Sequence, residues 1–135
     1  SKSIAEYCCK MLMPKMSTLD IEIKIRYFGK DDTYGYAMPL DDHSRPRFFE
    51  LEINKKARLR RLLETVAHEM VHVKQFARRE LHPVHNTWCG KTYNPKKVSY
   101  WDQPWEVEAY GRECGLFVRW AEENKLGSRS WALDD

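Results

Sequence analysis

No C-x-x-C pair occurs among the four cysteines, Cys8, Cys9, Cys89 and Cys114, and two of them are adjacent. That argues against a zinc knuckle or a disulfide framework, and for reduced thiols in a cytosolic protein. No apolar run approaches the ~18 residues of a membrane span, and no n-region/h-region pattern opens the chain. Internal repeats and low-complexity segments are also missing. Nor does one sign of charge dominate: 23 Lys and Arg against 20 Asp and Glu leave a net +3. Such a balance permits a nucleic-acid partner without arguing for one.

What is present suits one soluble domain over residues 1–135. A hydrophobic content of 42% with 13% aromatics can fill a single core, and 32% charged residues can cover it. Residues 3–12 read as a short amphipathic helix stopped by Pro14. Residues 19–28 alternate, with Leu19, Ile21, Ile23, Ile25 and Tyr27 on one side, and predict a half-buried strand. Two further strands, 33–40 and 47–54, follow short connections, so an antiparallel meander is expected. Asn54 is placed to cap a long helix reaching about Arg79. Pro83, Gly90, Pro95 and Pro104 then punctuate a loop region, and a second long helix runs over 104–124. Its apolar stripe reads as Val107, Tyr110, Cys114, Phe117, Val118 and Ala121. The tail, 125–135, reads as a mobile or docking segment, and one docking place would be a cleft that it keeps latent.

The first long helix carries His68-Glu69-Met70-Val71-His72. Positions i and i+4 project from one helix face, so both imidazoles can aim at a point about 2 Å from each, as zinc requires. Glu69 sits about 100° round the helix, too far for an equal ligand but within reach of a water on the metal. Chance alone would produce this spacing in roughly one or two chains per hundred of such composition. Leu59, Leu62, Leu63, Val66, Met70, Val73 and Phe76 form the apolar face, with Arg60, Arg61, Glu64, Lys74 and Arg78 towards water. His68, Glu69 and His72 fall at the seam, where a cleft floor would lie.

A catalytic zinc needs a third protein ligand and an open position. The candidates are Glu106, Glu108, His82, His85 and Cys89. On the second helix Glu106 lies about 65° from the stripe's centre and Glu108 about 135°. Glu106 is thus nearer the buried face, where a carboxylate is costly unless paired or ligated.

The segment "TVAHEMVHVKQ" followed by "PWEVEAYGRE" resembles a minimal gluzincin-type metallopeptidase. With the three preceding strands it also resembles SprT-like proteins and their short phage or bacterial relatives. The resemblance spans about residues 19–120. It implies an α+β zincin-like fold: a small, mostly antiparallel sheet packed on the H-E-x-x-H helix, plus a C-terminal glutamate helix. It implies one catalytic Zn²⁺ held by His68, His72 and Glu106, with Glu69 as general base, and hydrolysis of peptide bonds. A monomer acting on peptide or protein in the cytoplasm of a bacterial or phage-infected cell, away from membranes, is the matching expectation. Two departures stand out. Many gluzincins carry an acid or Asn four places after the ligand Glu, where Tyr110 stands here. SprT proteins take a third histidine from an H-G motif, for which His85 is the nearest equivalent.

Oxyanion or substrate contacts would come from Tyr110, Tyr93, Tyr100 or His85. Residues 33–39 are the expected edge strand for an extended peptide. The basic run of residues 55–61 reads as a solvated face or a phosphate contact. Two rival functions share the motif: a zinc amidase or deformylase with Cys89 as ligand, and a nucleic-acid-associated binding module whose zinc is structural.

Overall fold

The structure is a computed structural model, which describes residues 1–41, 45–82, 87–94 and 96–133. Helix α1 (Lys2–Leu12) leads to strands β1 (Asp20–Arg26), β2 (Gly35–Pro39) and β3 (Phe48–Asn54), then helix α2 (Leu59–Ala77). Three two-residue strands follow, β4 (Leu81–His82), β5 (Thr87–Trp88) and β6 (Lys91–Thr92). A 3₁₀ turn at Tyr100–Asp102 precedes helix α3 (Pro104–Glu123), and helix α4 (Ser130–Leu133) ends the described chain. The class is α+β as expected. No helix among the described residues is long and apolar enough to cross a membrane.

The first sheet is not a meander. Its order is β1-β3-β2, with β1 parallel and β2 antiparallel to β3. At the end of β3, Asn54 is fully buried. Its side-chain amide donates to the carbonyls of Thr33 at 2.9 Å and Asp31 at 3.4 Å, and its Oδ1 accepts from the Lys56 N–H at 3.1 Å. These bonds hold the β1–β2 connection across the end of β3 and deliver β2 to its far side. Asn54 is therefore a tie between segments and not a helix cap; α2 starts five residues later, at Leu59, after Arg58. β4, β5 and β6 form a second, antiparallel sheet.

The alternation in β1 and β3 does what period 2 requires. Ile21, Ile23 and Ile25 lie opposite Phe49, Leu51 and Ile53 on the core face. On the other face Lys24 meets Glu50 at 2.6 Å and Arg26 meets Glu52 at 3.0 Å. As the central strand, β3 buries Phe49, Leu51 and Ile53 completely, while Ile25 at the edge keeps 44% exposure.

Helix α2 is buried nearly all round, since β2 and β3 cover one side and α1, α3 and α4 the others. Polar positions expected to face water are buried in consequence. Glu64 lies 3.6 Å from Arg60, and Lys74 lies 2.6 Å from Glu108 and 2.8 Å from Glu80. Leu59, expected inside, is exposed at the helix start. The buried stripe of α3 is also displaced from the expected one: it runs through Trp105, Ala109, Glu113, Phe117, Trp120 and Ala121. Val107, Tyr110, Cys114 and Val118 are exposed instead. The tryptophans decided the facing, because Trp105 and Trp120 bury more apolar area than the residues they displace. Trp120 also donates its indole N–H to Ser3 Oγ at 3.1 Å, joining α3 to α1.

The tail is docked, away from the cleft described below. Ala132 is buried, Trp131 stands edge-on to Phe117, and the Ala132 carbonyl accepts from Arg60 at 2.8 Å. Residues 134–135 lie outside the described chain.

Gly35 marks the closest approach of sheet and helix. A Cβ there would stand 2.9 Å from Thr65 Cγ2 and 3.0 Å from the Glu52 carbonyl oxygen. Gly35→Ala is expected to cost about 1–3 kcal/mol of stability, read as a lower urea midpoint with unchanged slope.

Candidate metal centre

The His68, Glu69 and His72 side chains present donor atoms within 4.8 Å of one another, all three buried. Helix α3 brings Glu106 over them. A single oxygen, Glu106 Oε1, lies 3.2 Å from His68 Nε2 and 3.2 Å from His72 Nε2. Glu106 precedes buried Glu113 by seven residues, so the two carboxylates share a helix face to within about 20°. That is why Glu106 reaches α2 although the expected stripe was misplaced.

The orientation of His72 follows from Gln75. The Gln75 amide nitrogen donates to the Trp105 carbonyl and to Glu108 Oε1, both at 2.9 Å. Both partners accept only, so the amide oxygen must be the atom 2.8 Å from His72 Nδ1. His72 Nδ1 is therefore the protonated nitrogen. In the neutral ring this leaves a lone pair on Nε2, aimed at an anionic oxygen. Positive charge has to be supplied between them, either as protons or as one cation. Donors about 2.0–2.1 Å from a tetrahedral zinc lie about 3.3 Å apart, which the 3.2 Å spacings match.

Titration behaviour points the same way. Burial disfavours charge on His68, but Glu106 and Glu113 outweigh it and hold the ring's pKa up at about 9. His72 is raised as well, burial being overcome by Glu106 and Glu69. Burial also opposes charge on Glu106, yet the two imidazoles hold its carboxyl down at about 2. The cluster thus stabilises positive charge at the point where the three side chains meet. Glu69 differs: burial pushes its pKa up, and His72 and His68 offset that only in part.

A cleft of about 690 Å³ opens over the cluster. Residues 32–37 form one wall, Tyr100, Glu106, Tyr110 and Glu113 the other, and Arg61, Thr65 and Phe76 extend the floor along α2. Gly35 touches Thr65, while Pro39 pairs with Phe49, which stacks on Phe76. β2 therefore runs in the same direction as α2. Its outer edge is unpaired among the described residues.

The other expected residues divide. Tyr110 stands edge-on to His68, its ring centroid 4.5 Å away, and its hydroxyl lies 3.0 Å from that of Tyr100. Burial and this hydroxyl contact push the Tyr100 pKa up. Tyr93 packs edge-on to Trp105 and does not line the cleft. Glu108 is held by Lys74, Gln75 and Arg112 and is not a ligand candidate. His82 lies in β4, and Cys89 is exposed in the β5–β6 turn; neither lines the cleft. His85 lies outside the described residues.

Gln75 and Glu113 had no expected role. Gln75 follows His72 by three residues, a helix-neighbour spacing that carried the signal. Glu113 places Oε1 3.8 Å from His68 Nδ1, an ion-pair distance too long for a hydrogen bond, and Oε2 3.6 Å from Arg61.

Gln75→Leu would leave His72 Nδ1, the Trp105 carbonyl and Glu108 each short of a partner. A loss of about 2–3 kcal/mol in urea unfolding is expected. No protein-family model matches the chain, and no curated protein or solved structure matches it.

Proposed function

We propose that the chain is a zinc-dependent peptidase of zincin type, with His68, His72 and Glu106 as ligands and Glu69 as general base. The observation that carries this reading is one carboxylate oxygen equidistant from two imidazole nitrogens, one of which Gln75 holds in the tautomer a metal needs. Exposed Cys89 takes away the support for a deformylase-like ligand set. The basic run gives little support to a phosphate contact. Lys56 is engaged by Asp31 and Asp32, Arg60 by Ala132, and Arg61 by Glu113.

A zinc ion held by these residues supplies Lewis acidity, which brings a water's pKa towards neutrality and polarises a carbonyl. Glu69, whose raised pKa makes it a competent proton carrier, takes a proton from the attacking water as the carbon–oxygen bond forms. It gives that proton to the amine as the carbon–nitrogen bond breaks. The Tyr110–Tyr100 hydroxyl pair on the cleft wall supplies a donor for the oxygen that gains charge. The free edge of β2 suits an extended peptide, which would add as an antiparallel strand. Because β2 follows α2, such a peptide would run from the Phe76 end towards Arg61.

Glu69→Gln should keep one zinc per chain by elemental analysis and lose about 10²–10⁴-fold in hydrolysis of an unfolded protein substrate. Undiminished turnover would remove Glu69 from its role. Glu106→Gln should weaken zinc binding by about tenfold or more in a chelator competition, and full retention would exclude Glu106 as a ligand.

A further inference from the structure

A second concavity lies near the C-terminal end of α2, apart from the cleft. It encloses about 570 Å³ and is lined by Lys15, Arg45, Arg47, Arg78 and Arg79, with no acidic residue among the described lining residues. Three separate segments contribute these cations: the stretch after α1, the approach to β3, and the end of α2. The fold, and not a charge run, gathers them. In a chain with a net charge of only +3 this is a strong local excess.

Packing and helix capping account for two of the five. Arg47 Nη1 donates to the Pro46 and Ala77 carbonyls at 2.8 and 3.1 Å. Arg78 reaches the Leu12 carbonyl at 3.5 Å and lies 4.0 Å from Glu80, and a cation there complements the helix dipole. Such reasons do not extend to Lys15, Arg45 and Arg79, whose side chains have no hydrogen bond or ion pair among the described residues. Lys15, Arg45, Arg78 and Arg79 are exposed, so water screens their mutual repulsion, and an anion seated among them would relieve what remains.

We propose that this pocket binds a small anion carrying two or more phosphate groups. The volume is that of a small-molecule site. Four of the five cations are Arg, whose planar fork matches phosphate oxygens two at a time. A diphosphate concentrates several charges within the reach of one pocket. An acidic peptide of the same charge would be spread along an extended chain. The buried thioether of Met13, with Met16, gives the hollow an apolar floor that would leave the phosphates facing the cations.

The test is calorimetric titration of the 135-residue chain with inorganic pyrophosphate at low ionic strength, repeated on Arg45→Ser/Arg79→Asn. Asn tolerates the left-handed backbone of Arg79, whose φ is 59°. Binding that weakens with added salt, and that falls at least about tenfold in the double variant at unchanged melting temperature and zinc content, is the expected result. Three outcomes would each overturn the proposal. These are no binding at low salt, affinity that survives the double substitution (as chelation at the zinc centre would), and tighter binding of a twelve-nucleotide single strand or a glutamate-rich peptide through the same two residues. None of them bears on the peptidase reading, because neither substituted residue lines the cleft.

Discussion

The orientation of one neutral amide, Gln75, governs the centre of this protein. It is fully buried and makes three hydrogen bonds, to His72, Glu108 and the Trp105 backbone. Two of these partners belong to α3 and one to α2, so the same group docks the helices and selects the histidine tautomer. Reversing the amide would face its nitrogen to an N–H and its oxygen to two acceptors. In a low-dielectric interior every one of those mismatches is expensive, which makes the orientation unambiguous.

Around that amide the buried charges are arranged in pairs. Lys74 lies between Glu108 and Glu80, and Arg61 faces Glu113. Burying such charges is tolerable only because each has an opposite charge within ion-pair distance. The exception is the meeting point of His68, His72 and Glu106, where two imidazoles converge on one carboxylate oxygen. Glu69 lies beside it, its pKa raised by burial and lowered in part by His72 and His68. Glu69 and the two imidazoles come from α2 and the Glu106 carboxylate from α3, so the packing of these two helices assembles the cluster.

The sheet serves this helix in two ways. β3 supplies the fully buried face against which α2 packs, and β2 supplies a free edge alongside the cleft. Had the strands formed the meander that their short connections suggest, β3 would have been an edge strand and β2 the central one. The Asn54 side chain ties the β1–β2 connection over the end of β3, as the observed order requires.

Much of the site was written in local pattern. The H-E-x-x-H spacing places His68 and His72 on one face because the hydrogen-bonded helix repeats every 3.6 residues, whereas Glu106 was picked out by its angle from an apolar stripe that the structure displaces. The strands were legible from strict alternation, their cross-strand order was not. Order depends on which buried polar side chain ties which loop, and Asn54 reads from sequence as a cap because capping and loop-tying use the same hydrogen bonds. The facing of α3 was misplaced because two tryptophans outweigh several smaller apolar residues, a balance set by the surfaces they meet and not by periodicity. The tail's docking, the bonds of Gln75 to Trp105 and Glu108, the contacts of Glu113 with α2, and the gathering of five cations into one hollow were decided by tertiary structure alone. Each joins residues far apart in the chain, and pairing between such residues leaves no local signature.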